Sequence, residues 1–500
     1  MTRVQILAPL RSSRFALALL AGCAALGAAP SRAADRDPAE LFDPAAVARG
    51  LCAAPTEKSG LLATLAQVAA ASGASAVPAR PPLYTDLGDI TFKISTARPE
   101  AQRYFDQGLR LAYGFNHAEA IRAFKAAQSI DPTCAMCFWG EGWALGPTIN
   151  LLMNPADNAA ALAATARARD LAPQATKKEQ ALIAALAARY GADDRAKRTD
   201  LDKSFSDAMA KVHAAYAGDA DVTAIFVDAA MTTTPWDYWR GGGTEPAPGM
   251  SHAYPALEQA LAAHPGHAGL IHYYIHVMEQ AAAPAKAELY ADRLASLMPG
   301  AGHMVHMPSH TYFVLGRYKD SLAVNIDAVA ADEAFMAQAE PSAMYRFGYY
   351  PHNIHFALES AAMIGEGRQA LVFADKLAAA LPAESFRQVV MSQPIGLAPM
   401  FAKLRFADPD AILALANPGD DVPFMKGVWL HALGIGHVLK GDLAAAKIKA
   451  DELAGLRATA DLDLLESNAV PAGAVLEIAE HVLRGRIAAV AKDWATAIGH

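Results

Sequence analysis

The sequence predicts an all-α protein, built as a solenoid of helical hairpins. Three observations lead there. Alanine makes up much of the 53% apolar content and is gathered in helix-forming runs such as ALAATARARDLAP and ALIAALAARY. Small residues and closing prolines return at a spacing of about 34 residues, the period of a repeat array rather than of separate domains. The 500-residue length, which would otherwise imply three or four domains, is then one continuous structure. The apolar fraction, with 19% charged residues, excludes a disordered chain. The net charge of −8 argues against binding nucleic acid through a basic surface.

Residues 1–33 read as a leader, not as part of the fold. Arg3, Arg11 and Arg14 precede an apolar run from Phe15 to Ala29, and Ser31-Arg32-Ala33 follows. Two readings stay open. In one, cleavage falls after Ala33 or Ala34. In the other, Leu20-Ala21-Gly22-Cys23 is a lipoprotein signal and Cys23 carries a lipid. Either way the expected location is periplasmic or secreted, with any membrane attachment through Cys23. No later run of about 20 apolar residues offers a span. Residues 34–96 form an N-terminal segment ahead of the repeats.

The repeats can be laid out with a ruler. In AQRYFDQGLRLAYGFNHAEAIRAFKAAQSIDP, counting from Ala101, Gly108 falls at position 8, Ala120 at 20, Phe124 at 24, Ala127 at 27 and Pro132 at 32. Small residues at 8 and 20 let two helices approach, position 24 fills their contact and proline ends the second helix. A second unit opens at Ala135, and its second helix ends at Pro173. Helical pairs follow over about 176–219 and 220–265, the latter interrupted by TTTPWDYWRGGGTEPAPG, read as a lid or an outer loop. Further units open at Ala268, Gly302 and, after an FGYY spacer, Pro351. A weaker pair covers 392–418, and units open at Gly427 and Ile478. Residues 97–267 thus hold units one to four, 268–384 units five to seven, and 385–500 the remainder. The last unit stops at His500, inside its second helix, so the natural chain is expected to continue.

This pattern resembles the tetratricopeptide repeat (TPR) superfamily over most of residues 97–500, and implies a right-handed superhelix of about ten repeats. CAMCFWG, PWDYW and GHMVHMPSH together look like a group of secreted bacterial TPR proteins, to which no activity is attached. The resemblance also implies that positions 2, 5, 9 and 12 of each first helix face a concave groove. Steps of three and four do share one helix face.

The histidines fall on those positions. In the unit at Ala268, His272 is position 5, His276 is 9 and Glu279 is 12. In the unit at Gly302, His303, His306 and His310 are 2, 5 and 9. In the unit at Pro351, His352, His355 and Glu359 are 2, 5 and 9. Two imidazoles four residues apart chelate one ion, and neighbouring helices lie about 8–10 Å apart, so several helices can share it. The metal ligands read from sequence are therefore His272, His276, His306, His310 and His355, with His303 and His352 secondary. The metal is a divalent transition ion: Zn, Fe, Mn or Cu. Met278, Met304 and Met307 nearby tilt the choice slightly to copper. Glu279 and Glu359 are candidate ligands or general bases.

Cys134 and Cys137, in CAMC, leave three roles open: helix packing, a local disulfide with Cys52 as an exchange partner, or secondary metal ligands. Trp139 and Trp143, Tyr273 and Tyr274, and Tyr349 and Tyr350 border the groove positions. No phosphate-binding loop, nucleophile elbow or haem motif occurs. Two functions follow. One is an envelope solenoid that binds a transition metal in its groove and acts on a small molecule. The other is an interaction scaffold that holds a peptide or an envelope partner.

Overall fold

The computed structural model describes residues 80–151, 153–191, 198–468 and 470–500. The leader, Cys23, Cys52 and most of the 34–96 segment lie outside the described residues. Nearly all ordered structure is helical. The pairs α1 (Pro99–Tyr113) and α2 (His117–Ile130), α3 (Ala135–Ala144) and α4 (Asn158–Leu171), α5 (Lys177–Ala187) and α6 (Arg198–Ala215), and α7 (Ala220–Thr233) and α8 (Ala253–Ala263) come first. They are followed by α9 (Ala268–Met278) with α10 (Glu288–Leu297), α11 (Gly302–His306) and α12 (Pro308–Val314) with α13 (Tyr318–Gln338), and α14 (Tyr350–Met363) with α15 (Gly367–Ala380). The C-terminal part runs through α16 (Ala383–Gln388), α17 (Gln393–Phe406), α18 (Pro409–Leu413), α19 (Pro423–Leu439), α20 (Leu443–Thr459), α21 (Asp463–Ser467), α22 (Ala472–Val490) and α23 (Trp494–Gly499). Successive helices pack on one another along the chain, as in a helical-hairpin solenoid. α3, α7, α9 and α11 start on the residues where the 34-residue ruler opened units. No described helix is long and apolar enough to cross a membrane.

Gly108, the small residue at position 8 of the first unit, has the physical role the ruler assigned it, and Gly140, which the ruler did not mark, shares it. Phe124, fully buried, lies between α1 and α3. A Cβ on Gly108 would sit 2.6 Å from its ring, and one on Gly140 would sit 2.5 Å from it. Both glycines exist to admit that ring. Helix ends follow local chemistry. Proline opens α1, with Glu100 in its first turn and Arg110 in its last. A reciprocal Thr176–Glu179 capping box starts α5.

Some details differ from the expectation. The first helix of the sixth unit is two short pieces, because Pro308 has no N–H to continue the ladder. The FGYY spacer is a π-helical turn, Tyr345–Tyr349, that runs directly into α14. The weak pair over 392–418 contains Pro399 inside α17. Cys134 and Cys137 are joined as a disulfide at the start of α3. This corrects their listing among secondary metal ligands, since neither sulfur has a thiolate to offer.

The largest correction is to the open groove. One apolar core runs from Leu87 to Tyr349 and includes the first pair together with α9 and α11. Tyr113, at the end of α1, lies against α9, where a Cβ on Gly269 would come within 2.8 Å of its ring. The segment before α1 straps the same corner: Gly300 N–H donates to the Asp86 carbonyl at 2.8 Å, and Tyr84 contacts Phe335 at 5.8 Å between ring centres. The histidines of unit five, and His303 at the start of unit six, are therefore covered by unit one. Beyond it, smaller cores follow one another toward the C-terminus.

Replacing Gly108 or Gly140 with valine is expected to destabilise the fold by about 1–3 kcal/mol through overpacking against Phe124. Gly455 lies in α20 with open space around it. Gly455→Ala should stabilise by about 0.5–1 kcal/mol. Thermal and denaturant unfolding measure all three, and an unchanged midpoint for Gly108→Val and Gly140→Val would refute this account of the ruler.

Candidate metal centre

Six histidines meet in two groups. His272 and His276 of α9 join His303 of α11, and His306 and His310 of α11 and α12 join His352 of α14. Within each group one nitrogen per ring lies within 4.8 Å of the others. All are buried except His352, which is half-buried. The groups adjoin, with ring centres 5.7 Å apart for His276 and His310 and 5.9 Å for His303 and His306. The break at Pro308 lets one short stretch supply ligands to both groups.

Second-sphere contacts fix which nitrogen of each ring is free. Nδ1 of His272 donates to the Tyr113 carbonyl at 2.6 Å. Glu279 accepts from Nδ1 of His276 at 3.3 Å and from Nδ1 of His310 at 2.7 Å. Nδ1 of His306 donates to Oδ1 of Asn325 at 2.6 Å. Asn325 is held in that orientation because its Nδ2 donates to the Ser321 carbonyl at 2.7 Å. Each of these four rings thus carries its proton on Nδ1 and turns a bare Nε2 inward, the arrangement by which histidine ligands are usually oriented.

The consequence is sharpest in the second group. Nε2 of His306 and Nε2 of His310 lie 2.9 Å apart, and Nε2 of His352 lies 3.4 Å from that of His310. With both Nδ1 atoms protonated, two lone pairs face each other at hydrogen-bond distance. Something positive must sit between them: a proton on one ring or a metal ion. Burial, then neighbouring imidazoles, push His306 well below the usual imidazole range, which leaves a proton on His310 beside Glu279 or a metal ion as the two ways to fill the gap. A tetrahedral ion with bonds of about 2.0–2.1 Å sets its nitrogens about 3.3 Å apart, between the two spacings seen. In the first group, Nε2 of His272, Nε2 of His276 and both nitrogens of His303 are buried without a hydrogen-bond partner. Unpaired buried donors and acceptors are costly unless an ion takes them.

The walls are aromatic. Phe115 lies 4.3 Å from His272, 5.7 Å from His276 and 5.3 Å from His303. Trp236, from the insertion before the small β1 (Trp239–Arg240) and β2 (Glu245–Pro246) hairpin, stands edge-on to His276 at 5.2 Å. Tyr349 lies 4.9 Å from His303, and Phe356 lies 4.7 Å from His306. The insertion is thus a cover on the first group. Phe115 and Trp236 adopt left-handed backbone angles, φ 58° and 60°. Three of the turns after later first helices place glycine at the position of Phe115, Gly316, Gly365 and Gly441 with φ 75°, 78° and 77°, and the last places Lys492 there with φ 65°. A phenylalanine there costs about 1–2 kcal/mol of backbone strain, tolerated where its ring is needed.

Of the ligands read from sequence, His272, His276, His306 and His310 come together. His303 and His352, which were secondary, complete the groups. His355 does not join them: it is buried 3.7 Å from Glu359, with no hydrogen bond on either nitrogen. Neither glutamate faces the inward nitrogens. Glu279 has both oxygens engaged with Nδ1 atoms and orients rings. Burial would raise its carboxyl, but the neighbouring His310 and the hydrogen bonds from His276 and His310 hold it below the usual carboxylate range. His431, another position 5, is bound singly to the Ala479 carbonyl at 2.8 Å. Sequence reasoning missed Phe115, Trp236 and Asn325. The first had a signal, an aromatic residue where the hairpin turn favours glycine.

No family model matches the chain, and no curated protein matches it in sequence. Among solved structures it is similar to the human IFIT1 dimer with m7Gppp-AAAA, at 11% identity over 93% of this chain and 93% of that one, with a TM-score of 0.34. It is similar to the APC/C hetero-tetramer Cut9-Hcn1, at 12% identity over 80% and 75% of the chains, with a TM-score of 0.26. It is also similar to yeast Tom70, at 10% identity over 79% and 92%, with a TM-score of 0.22.

Proposed function

We propose that this chain is a transition-metal protein, each histidine triad holding one ion and the pair acting on a small molecule. The observation that carries this is the facing Nε2 pair of His306 and His310, whose Nδ1 protons are fixed by Asn325 and Glu279. Three imidazoles per ion leave a position open, which suits reaction or ligand exchange rather than a closed structural site. Zn, Fe, Mn and Cu all accept imidazole.

Two cavities support a small ligand. One of about 250 Å³ is lined by His303, Asn116, Asp86 and Tyr345. The other, of about 290 Å³, is lined by Phe115, His117, Tyr345 and Tyr349. Both are at or below the small end of typical ligand pockets. A peptide held by the histidine ladder is disfavoured, because all of those side chains but His352 are buried. A protein or peptide partner of the scaffold would have to use another surface. The leader at residues 1–33 supports export to the periplasm or beyond, with Cys23 as the alternative anchor.

Purified protein is expected to carry about two equivalents of transition metal, by elemental analysis after growth in metal-sufficient medium. His306→Ala with His310→Ala should remove about one equivalent. A content below about 0.3 equivalents, unchanged by those substitutions and by reconstitution, would sink the proposal.

Glu279→Gln isolates the second sphere. An amide can accept from one Nδ1–H but presents N–H to the other ring, which must then move its proton to the inward nitrogen. We expect metal affinity at the affected triad to fall about 10–100-fold, with the far-ultraviolet dichroism of the folded protein retained. Glu359→Gln should leave both affinities unchanged. Competition with a chromophoric chelator measures both. Equal effects of the two substitutions would remove Glu279 from this role.

A further inference from the structure

We propose, resting on the two-triad reading, that the two ions are a copper pair and that the small molecule taken up between them is dioxygen.

The argument begins with charge. The six ligands are neutral imidazoles, and among the described residues Glu279 is the one carboxylate hydrogen-bonded to them. Two divalent ions would bring four positive charges against a single negative one, in a space walled by Phe115, Trp236, Tyr349 and Phe356. Burying uncompensated charge costs several kcal/mol per ion. Two cuprous ions with Glu279 leave a net charge of one. Of Zn, Fe, Mn and Cu, copper alone has an accessible monovalent state in such a site, and three nitrogens satisfy it. The divalent alternatives want further oxygen ligands, and the structure supplies aromatic rings in their place.

The same accounting selects the ligand. Each cuprous ion gives one electron, and the two electrons enter one dioxygen molecule, whose O–O bond weakens to a single bond without breaking. The product is two cupric ions joined by a two-electron-reduced dioxygen dianion. The charge of the metals and their bridge is +2 before and after, so uptake adds no buried charge and needs no proton. Dioxygen is also small and apolar, which matches the aromatic walls of Phe115, Trp236, Tyr349 and Phe356. An anionic or strongly hydrated substrate would lose its water there without a cationic side chain to replace it. The triads adjoin, with ring centres 5.7 Å apart for His276 and His310 and 5.9 Å apart for His303 and His306, and in the proposed pair one diatomic molecule bridges them.

The test loads the full protein with cuprous ion under anaerobic conditions, removes the excess by gel filtration and admits air-saturated buffer. About two coppers per chain, about one dioxygen consumed per two coppers, a new near-ultraviolet charge-transfer band and no cupric spin-resonance signal are expected, since coupled cupric ions cancel their spins. His276→Asn and His352→Asn should each keep about one copper yet cut dioxygen uptake to less than about a tenth, because one ion supplies only one electron. Circular dichroism of the folded chains controls for misfolding. Two bound coppers without dioxygen uptake, or with isolated cupric signals, would overturn the inference and leave the two-triad reading standing. Binding of zinc, iron or manganese but not copper would also overturn it. Failure to bind any of the four metals would overturn both.

Discussion

The contact of Tyr113 with α9 is the constraint from which the rest of the structure follows. Its ring fills the space that a side chain on Gly269 would need, and its carbonyl accepts the Nδ1 proton of His272. One residue therefore closes the first helical pair onto the fifth and orients the first ligand. A solenoid otherwise contacts only its neighbours. This closure turns a helix face that would have lined an open groove into an interior. It also carries the next turn, with Phe115, over the rings of His272, His276 and His303. Packing and site are thus one event, and loosening the contact would open the centre as well as the fold.

Glu279 plays the corresponding part between the triads. It is a buried carboxylate that would be costly alone, and two imidazole N–H groups satisfy it. The stabilisation runs both ways. The carboxylate fixes two tautomers, one in each triad, so both groups present lone pairs inward at the same time. Asn325 and the Tyr113 carbonyl complete the set with neutral acceptors. A site assembled this way is preorganised but strained without a cation, because lone pairs converge in a low-dielectric space. If the proposed ions bind there, part of their binding free energy is repulsion relieved, and metal binding and folding are linked.

Local periodicity carried much of this into the sequence. Small residues at positions 8 and 20 and proline at 32 mark helix contacts and ends set within one unit, so Gly108, Ala120, Phe124 and Pro132 could be read directly. The histidines at positions 2, 5 and 9 were legible for the same reason, since a helix face is a local property. What was not legible is long-range. Nothing near Phe115 says that its turn will meet a helix more than 150 residues later, and Asn325 lies on a second helix whose inward face the ruler did not follow. His355 shows the limit from the other side. It has the right position in its unit, but α14 is entered through the π turn at Tyr345–Tyr349, and His352, one turn earlier, is the ring that reaches the second triad. The ruler fixes a face, while the packing of neighbouring units decides which rung on it meets the rest.

The two left-handed aromatic residues argue that this centre is selected rather than incidental. A hairpin turn needs a residue with positive φ, and three later turns meet the need with glycine at no steric cost. At residue 115 the chain accepts strain instead and gains a ring against three imidazoles. At residue 236 it does so again, in an insertion that the repeat does not require, and the ring again lies on His276. Stability alone explains neither choice, since the same turns fold with glycine and the repeat folds without the insertion. In the proposed metal centre, an apolar cover over bare imidazole nitrogens would exclude water from the ions and leave their open positions to a molecule small enough to pass. Lys492 holds the corresponding turn position of the last unit at φ 65° and is exposed, so positive φ alone marks no site; what sets residues 115 and 236 apart is the ring that each places against the imidazoles.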